Sequence, residues 1–261
     1  MKKVFLVVLG AVLLLGACSD DDAPKNARLV VNLTDAPGDY EEVIINVQDV
    51  KINASNEDEG GWMSMSEVNK GEYNLLDFTN GMDTLLAEQE LPAVKVSQMR
   101  LVLGDGNKVK IDGQYYDLDT PSASQSGLKF NIHADLAEGV TYKLWIDFDA
   151  ARSIVKKGNG SYSLKPVIRT YTEATSGAIK GAISPVEAKP YVMAISAAQD
   201  TVGTYADLET GKFLIKGIDE GTYKVEIVPA KEYQKKEIEN VEVVIGETTD
   251  LEIIELEAVT E

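Results

Sequence analysis

Chemistry in this chain has few starting points. Its 261 residues hold one histidine, His133, and one cysteine, Cys18. A disulfide within the chain and a Cys/His zinc cluster are therefore both excluded. A Ser-His-Asp arrangement has to use His133, in Phe130-Asn131-Ile132-His133-Ala134-Asp135. No Gly-x-Ser-x-Gly elbow accompanies it, and alternation with Phe130 and Ile132 sends His133 to the outward strand face. Glycosidase chemistry needs only a carboxylate pair. Among 43 acidic residues nothing singles one out, so no catalytic residue is assigned. Calcium is a weak candidate cofactor, with Asp147-x-Asp149 on one side of a strand and Asp35 in a proline-glycine turn supplying oxygens. The spacing matches no EF-hand, and turn-capping is the plainer role for these three aspartates.

Aromatic rings beside polar groups are the remaining chemistry. Trp62 follows the loop Asn56-Glu57-Asp58-Glu59-Gly60-Gly61, and Tyr115 and Tyr116 sit in a hairpin. Trp145 shares the polar face of its strand with Lys143, Asp147 and Asp149. Rings of this kind bind sugars or cover a sheet. Trp62, Tyr115, Tyr116 and Trp145 are accordingly the candidate ligand-binding residues.

These residues sit on a β framework. Residues 27–34 and 42–53 are rich in β-branched side chains, and the alternation of Val43, Ile45 and Val47 changes phase near Asp49-Val50, which predicts a bulge. Further strands are expected at 94–103, 107–111, 114–118, 128–132, 141–149 and 161–170. Asp112-Gly113 marks a tight hairpin turn. The helical expectations are 80–89 and a turn or two after Asp149. A polar stretch at 171–177 reads as a boundary, and about seven short strands follow it. In the strand 222–227, Tyr223, Val225 and Ile227 face inward while Lys224 and Glu226 face water.

The formal charge of −18 excludes a nucleic-acid binder that works by displacing counterions from phosphate. At the N-terminus, Lys2 and Lys3 precede the apolar run Val4–Leu15, too short for a spanning helix of roughly 20 residues. This reads as a secretory signal. Leu15-Gly16-Ala17-Cys18 resembles the bacterial lipobox, which implies lipid on Cys18 and a membrane partner; an ordinary signal peptide with a chance cysteine is the alternative. Ser19, Asp20, Asp21 and Asp22 form a solvated acidic tether. They are also similar to the export signal of Bacteroides-type surface lipoproteins, implying an outer-membrane address facing the cell exterior.

Two further resemblances concern the body of the chain. Gly177-x-Ile179-x-Gly181, Thr210-Gly211-Lys212-Phe213, Gly217-Ile218-x-x-Gly221-Thr222-Tyr223-x-Val225 and Asn240-Val241-x-Val243 resemble the carboxypeptidase-regulatory-like (prealbumin-like) β-sandwich. That implies a carbohydrate-binding-like fold, which does not by itself license a function. Leu33-Thr34-Asp35-Ala36-Pro37, Asn74 through Gly81 and Trp145 through Ala150 resemble an uncharacterised domain that precedes such modules in bacterial surface lipoproteins.

The expectation is an all-β protein, two β-sandwich domains in tandem after a cleaved lipoprotein signal peptide. Its divisions are 1–17 signal, 18–26 tether, 27–174 first sandwich and 175–261 second. Its function is non-catalytic binding, of carbohydrate or of a surface protein; the alternative is a spacer or accessory subunit of a cell-surface or fimbria-like assembly.

Overall fold

The structure is a computed structural model that describes residues 26–35, 38–54, 60–120, 127–230 and 232–259. Fourteen strands build its first part. They are β1 (Ala27–Thr34), β2 (Glu42–Asn53), β3 (Trp62–Ser64), β4 (Glu67–Val68), β5 (Gly71–Asn74), β6 (Thr84–Leu91) and β7 (Lys95–Leu103). Then come β8 (Lys108–Ile111), β9 (Gln114–Asp119), β10 (Leu128–Asp135), β11 (Thr141–Phe148), β12 (Ile154–Lys156), β13 (Tyr162–Leu164) and β14 (Ile168–Tyr171). Seven more follow: β15 (Gly177–Ser184), β16 (Tyr191–Ile195), β17 (Thr201–Tyr205), β18 (Lys212–Ile218), β19 (Gly221–Val228), β20 (Lys236–Val243) and β21 (Thr248–Glu255).

The first sandwich packs a five-stranded sheet, ordered β14-β11-β1-β6-β4, against a nine-stranded one. The latter runs β10-β7-β2-β8-β9-β13-β12, with β3 and β5 also paired to β2. The second packs β18-β15-β21 against β17-β16-β19-β20. Each has its own core, one from Ala27 to Leu164 and one from Ile179 to Leu256. The fold is all-β, as the alternating patterns require.

β1 shows how the sequence sets this up. Ala27, Leu29, Val31 and Leu33 are fully buried on one face, while Arg28, Val30, Asn32 and Thr34 take the other. The strand lies in the middle of its sheet, paired parallel to β11 and antiparallel to β6. In β2 the inward set passes from Val43, Ile45 and Val47 to Val50 and Ile52. The register with β7 slips between Val47 and Asp49, and this bulge lets one strand bury both sets. Asp112 and Gly113 both have positive φ, 51° and 75°, as a two-residue hairpin turn between right-twisted strands demands.

Two local expectations are overturned. Residues 80–89 are not helical: Thr84–Leu91 is β6, held between β1 and β4. Its Leu, Ala, Glu and Gln residues favour a helix by weak intrinsic propensity. Two flanking ladders and the burial of Leu86, Ala87 and Leu91 outweigh that preference. Residues 161–170 form two strands, β13 and β14, because Pro166 between them has no N–H for a ladder. The turn after Asp149 is present as the single helical turn Ala150–Ser153.

Candidate functional site

The outer face of the nine-stranded sheet carries Trp62 with polar neighbours around it. β3 is an edge piece on β2 that sets Trp62 opposite Asn53, which in turn lies opposite Gln98 of β7. Gln98 is opposite Asn131 of β10, and its Nε2 donates to Asn131 Oδ1 at 3.1 Å. Two residues along these strands, Lys51, Arg100 and Lys129 form a second row across β2, β7 and β10. The half-buried indole lies under Arg100, whose guanidinium carbon is 4.0 Å from the ring centroid. Lys129 Nζ is 5.9 Å from the same centroid.

Tyr115 and Tyr116 do not join this face as a common platform. Tyr115 pairs with Lys110, itself opposite Glu42 at the start of β2, whereas Trp62 is opposite Asn53 at its end. At about 3.3 Å per residue the two ends of β2 are on the order of 36 Å apart. Tyr115 is 48% exposed and its hydroxyl donates to Glu42 Oε2 at 2.8 Å. That bond raises the tyrosine pKa, while the hydrogen bond from Lys110 leads in lowering that of Glu42. Tyr116 points to the other face, where its ring meets Tyr162 at 5.0 Å and packs on the core. It is a core-edge residue, which sets it apart from Tyr115 among the candidate ligand-binding rings.

Trp145 is also corrected. It does lie on the polar side of β11, yet only 5% of it is exposed. Tyr171 of β14 stacks on it, with centroids 5.6 Å apart and planes 6° apart, and its Nε1 donates to Asp83 at 2.8 Å. Tyr171 in turn lies against the second sandwich. Gly217 of β18 comes so close that a Cβ there would lie 2.2 Å from the Tyr171 ring. Arg169 ties the parts together: its Nε donates to Asp147 Oδ2 at 2.6 Å, its Nη2 is ion-paired with the same oxygen at 2.6 Å, and its Nη1 donates to the Gly217 carbonyl at 2.9 Å. Lys216 Nζ reaches the Gly81 carbonyl at 3.2 Å.

The aspartates considered for calcium are employed here. Asp147 pairs with Arg169, Asp35 Oδ1 accepts the Ala150 N–H at 2.8 Å, and Asp149 Oδ1 caps the helical turn by accepting the Arg152 N–H. Burial raises the Asp149 pKa, opposed by that same cap and by the Arg152 charge. Among the described residues no three His, Cys, Asp or Glu side chains gather to hold a metal. Cys18, Ser19, Asp20, Asp21 and Asp22 lie outside the described residues, as does the side chain of His133.

A cleft of about 280 Å3 between the sandwiches went unseen in the sequence. Asp39, Thr79 and Asn80 line it from one side, Lys189, Tyr205 and Leu208 from the other. The Tyr205 ring rests edge-on against Tyr191 at 4.8 Å, and burial pushes the Tyr191 hydroxyl up to about 12. Asp207 on its rim is spent in a turn, accepting from Glu209 N, Thr210 N and Thr210 Oγ1. Only residues brought together by docking line this cleft, so no local pattern announces it.

Fold and site define an all-β protein of two docked sandwiches with a ring-and-cation face on its largest sheet. The chain belongs to the family described as Domain of unknown function (DUF4382), whose model matches residues 26–166. Comparison with curated proteins finds no match. Among solved structures the chain is similar to the Bacillus anthracis TIE protein, at 14% identity and a TM-score of 0.25 over 90% of this chain. It spans about a third, 34%, of that protein. It is also similar to the shaft pilin SpaA of Lactobacillus rhamnosus GG, at 8% identity and a TM-score of 0.22, covering 90% of this chain and 98% of that one. Neither score is high enough to carry an argument about role. No helix among the described residues is long and apolar enough to cross a membrane.

Proposed function

We propose that the chain is a non-catalytic carbohydrate-binding module, held on the outer face of the outer membrane by lipid on Cys18. The observation that supports this is the Trp62 face of the nine-stranded sheet. There a half-buried indole, two amides and three cations share one side of adjacent strands. Sugars are held by such combinations of ring and fixed polar groups. In this reading the second sandwich, with its carboxypeptidase-regulatory-like pattern, is a mount, and the −18 charge keeps the body off an anionic lipid surface.

A second reading, a stiff spacer or accessory subunit of a surface assembly, is favoured by the junction itself. Arg169, Tyr171 and Gly217 join the two sandwiches through hydrogen bonds and a close approach that a hinge does not need.

The test is a glycan array probed with full-length protein in detergent, alongside Trp62→Ala. Saturable binding that the variant loses supports the binding reading. No retained glycan, together with a stoichiometric surface protein in pull-downs, replaces it with the spacer. Fractionation of Cys18→Ala checks the anchor: the protein leaves the membrane fraction and takes up no labelled palmitate, and continued membrane retention refutes the address.

A further inference from the structure

We infer that an uncharged oligosaccharide lies in the cleft between the two sandwiches and runs from it across the outer face of β15, passing the Asn80 amide where the two spaces meet. This site is separate from the Trp62 face and rests on the carbohydrate reading of the protein. Asn80 and Gly81 have positive φ, 54° and 87°, and the Met82 N–H closes their turn on the Thr79 carbonyl at 3.0 Å. Asparagine before glycine suits such a turn, so the residue type at 80 has a local reason. Its side-chain oxygen has none. Asn80 Oδ1 is buried and accepts no hydrogen bond, a state that folded proteins seldom leave unanswered. Asp147 Oδ1 is in the same state, but Asp147 lines a cavity of about 20 Å3, room for one water. Asn80 instead lines the cleft of about 280 Å3 and, with Asp207, a second space of about 490 Å3, so the two spaces adjoin at these residues. Together they fall within the range of about 300–1,000 Å3 usual for ligand sites. The turn is pressed on β18, where a Cβ at Gly81 would lie 2.6 Å from Leu214 Cδ2, so the amide is held in place before any ligand arrives.

The second space lies over the three-stranded sheet. Ala182 of β15 is opposite Lys212 of β18 and Ile253 of β21, and its small side chain leaves a shelf bounded by Leu214 and Ile253. Ile253 is 68% exposed and Leu208, in the cleft, 50%, so each space presents an aliphatic side chain to solvent. Exposed apolar groups rimmed by polar ones mark binding surfaces. The backbone of β15 is engaged in ladders on both sides, so a peptide cannot add to it as a strand. A ligand there must bring its own hydrogen-bonding groups to side chains. In the cleft the Tyr205 hydroxyl, the Asp39 carboxylate and the Lys189 ammonium make no hydrogen bond or ion pair with the protein. Burial, then the Asp39 and Asp149 charges, raise the Tyr205 pKa, so its hydroxyl remains a donor. Sugar hydroxyls both donate and accept, and so match all three groups and the Asn80 oxygen. Carboxylates outnumber ammonium groups in each space, three to one in the cleft and three to two over the sheet, which disfavours an acidic glycan.

The experiment titrates the full-length protein in detergent with cellohexaose, xylohexaose and mannohexaose, with hexagalacturonate as the acidic control. Parent and Trp62→Ala proteins are compared, the variant removing any contribution from the face of the nine-stranded sheet. The expected result is saturable binding of a neutral hexasaccharide by the Trp62→Ala protein. The disaccharide of the same sugar, which reaches only one of the two spaces, should bind at least tenfold more weakly. In that background Asn80→Gly, which suits the positive φ and removes the amide, should lower affinity about tenfold, as loss of a bond to a buried acceptor implies. Ile253→Ser, at an exposed position, should cost several-fold with an unchanged thermal midpoint, so the site is tested even if the Asn80 variant misfolds. Hexagalacturonate bound as tightly as the neutral sugars overturns the uncharged ligand. Neutral binding untouched by Asn80→Gly and Ile253→Ser overturns the site. If the parent binds a hexasaccharide and the Trp62→Ala protein does not, the inference falls and the carbohydrate reading stands; if neither binds any glycan, both fall.

Discussion

The junction and the Trp62 face treat charge in opposite ways. At the junction, Asp147, with 8% of its side chain exposed, accepts a hydrogen bond from Arg169 Nε and is ion-paired with its Nη2, and Nη1 of Arg169 donates to a carbonyl of the other sandwich. On the Trp62 face, cations are set against cations and a ring lies beneath one of them. A buried pair needs its partner because an isolated buried charge is costly. Like charges directly opposite one another on a sheet work against pairing. The contrast is between an ion pair buried where two sandwiches meet and a row of cations on an outer sheet face.

Breaking the junction should give the largest effect. Arg169→Ala leaves Asp147 buried without its cation, and urea unfolding should show a loss of about 3 kcal/mol. That is the lower end for buried pairs, since the Arg169 side chain is 31% exposed. A loss indistinguishable from a surface substitution would remove the distinction between the two regions. The opposite sign is expected on the face: Lys129→Glu places a carboxylate opposite Arg100 and should stabilise by about 0.5 kcal/mol. Destabilisation there would mean that the row is structural.

The smallest effect is a pH dependence at Asp149. Burial raises its pKa in the folded state, so its contribution is fully present below the ordinary aspartate value of about 3.9 and is lost as pH rises through the raised value. Asp149→Asn keeps an oxygen to accept the Arg152 N–H and removes the titration. The stability of the parent relative to this variant should therefore decline as pH is raised across that window. A difference that stays flat with pH would mean that solvent already screens the carboxylate.

Much of the framework was legible because strand alternation is local. The phase change at Asp49-Val50 announced the bulge, Asp112-Gly113 announced the turn, and the polar side of β11 was correctly given to Trp145. What failed depended on contacts far apart in the chain. Thr84–Leu91 has helical composition and became a strand because β1 and β4 flank it. Trp145 faces the expected way, but it is covered by Tyr171, 26 positions away, which stacks on it. Trp62 was a fair candidate, yet its meeting with Arg100, 38 positions away, depends on the β3-β2-β7 register, which no local pattern encodes.

The placement of β1 has a mechanical consequence. The chain enters the body through this strand, and ladders grip it on both sides, to β11 and to β6. A pull on the segment before Ala27 acts along the strand axis, so it must shear two ladders together instead of peeling one bond at a time from an edge. A body tethered by its N-terminus would thus meet tension at one of its best-secured strands, and its lifetime under load would be set by the unfolding rate of that central strand.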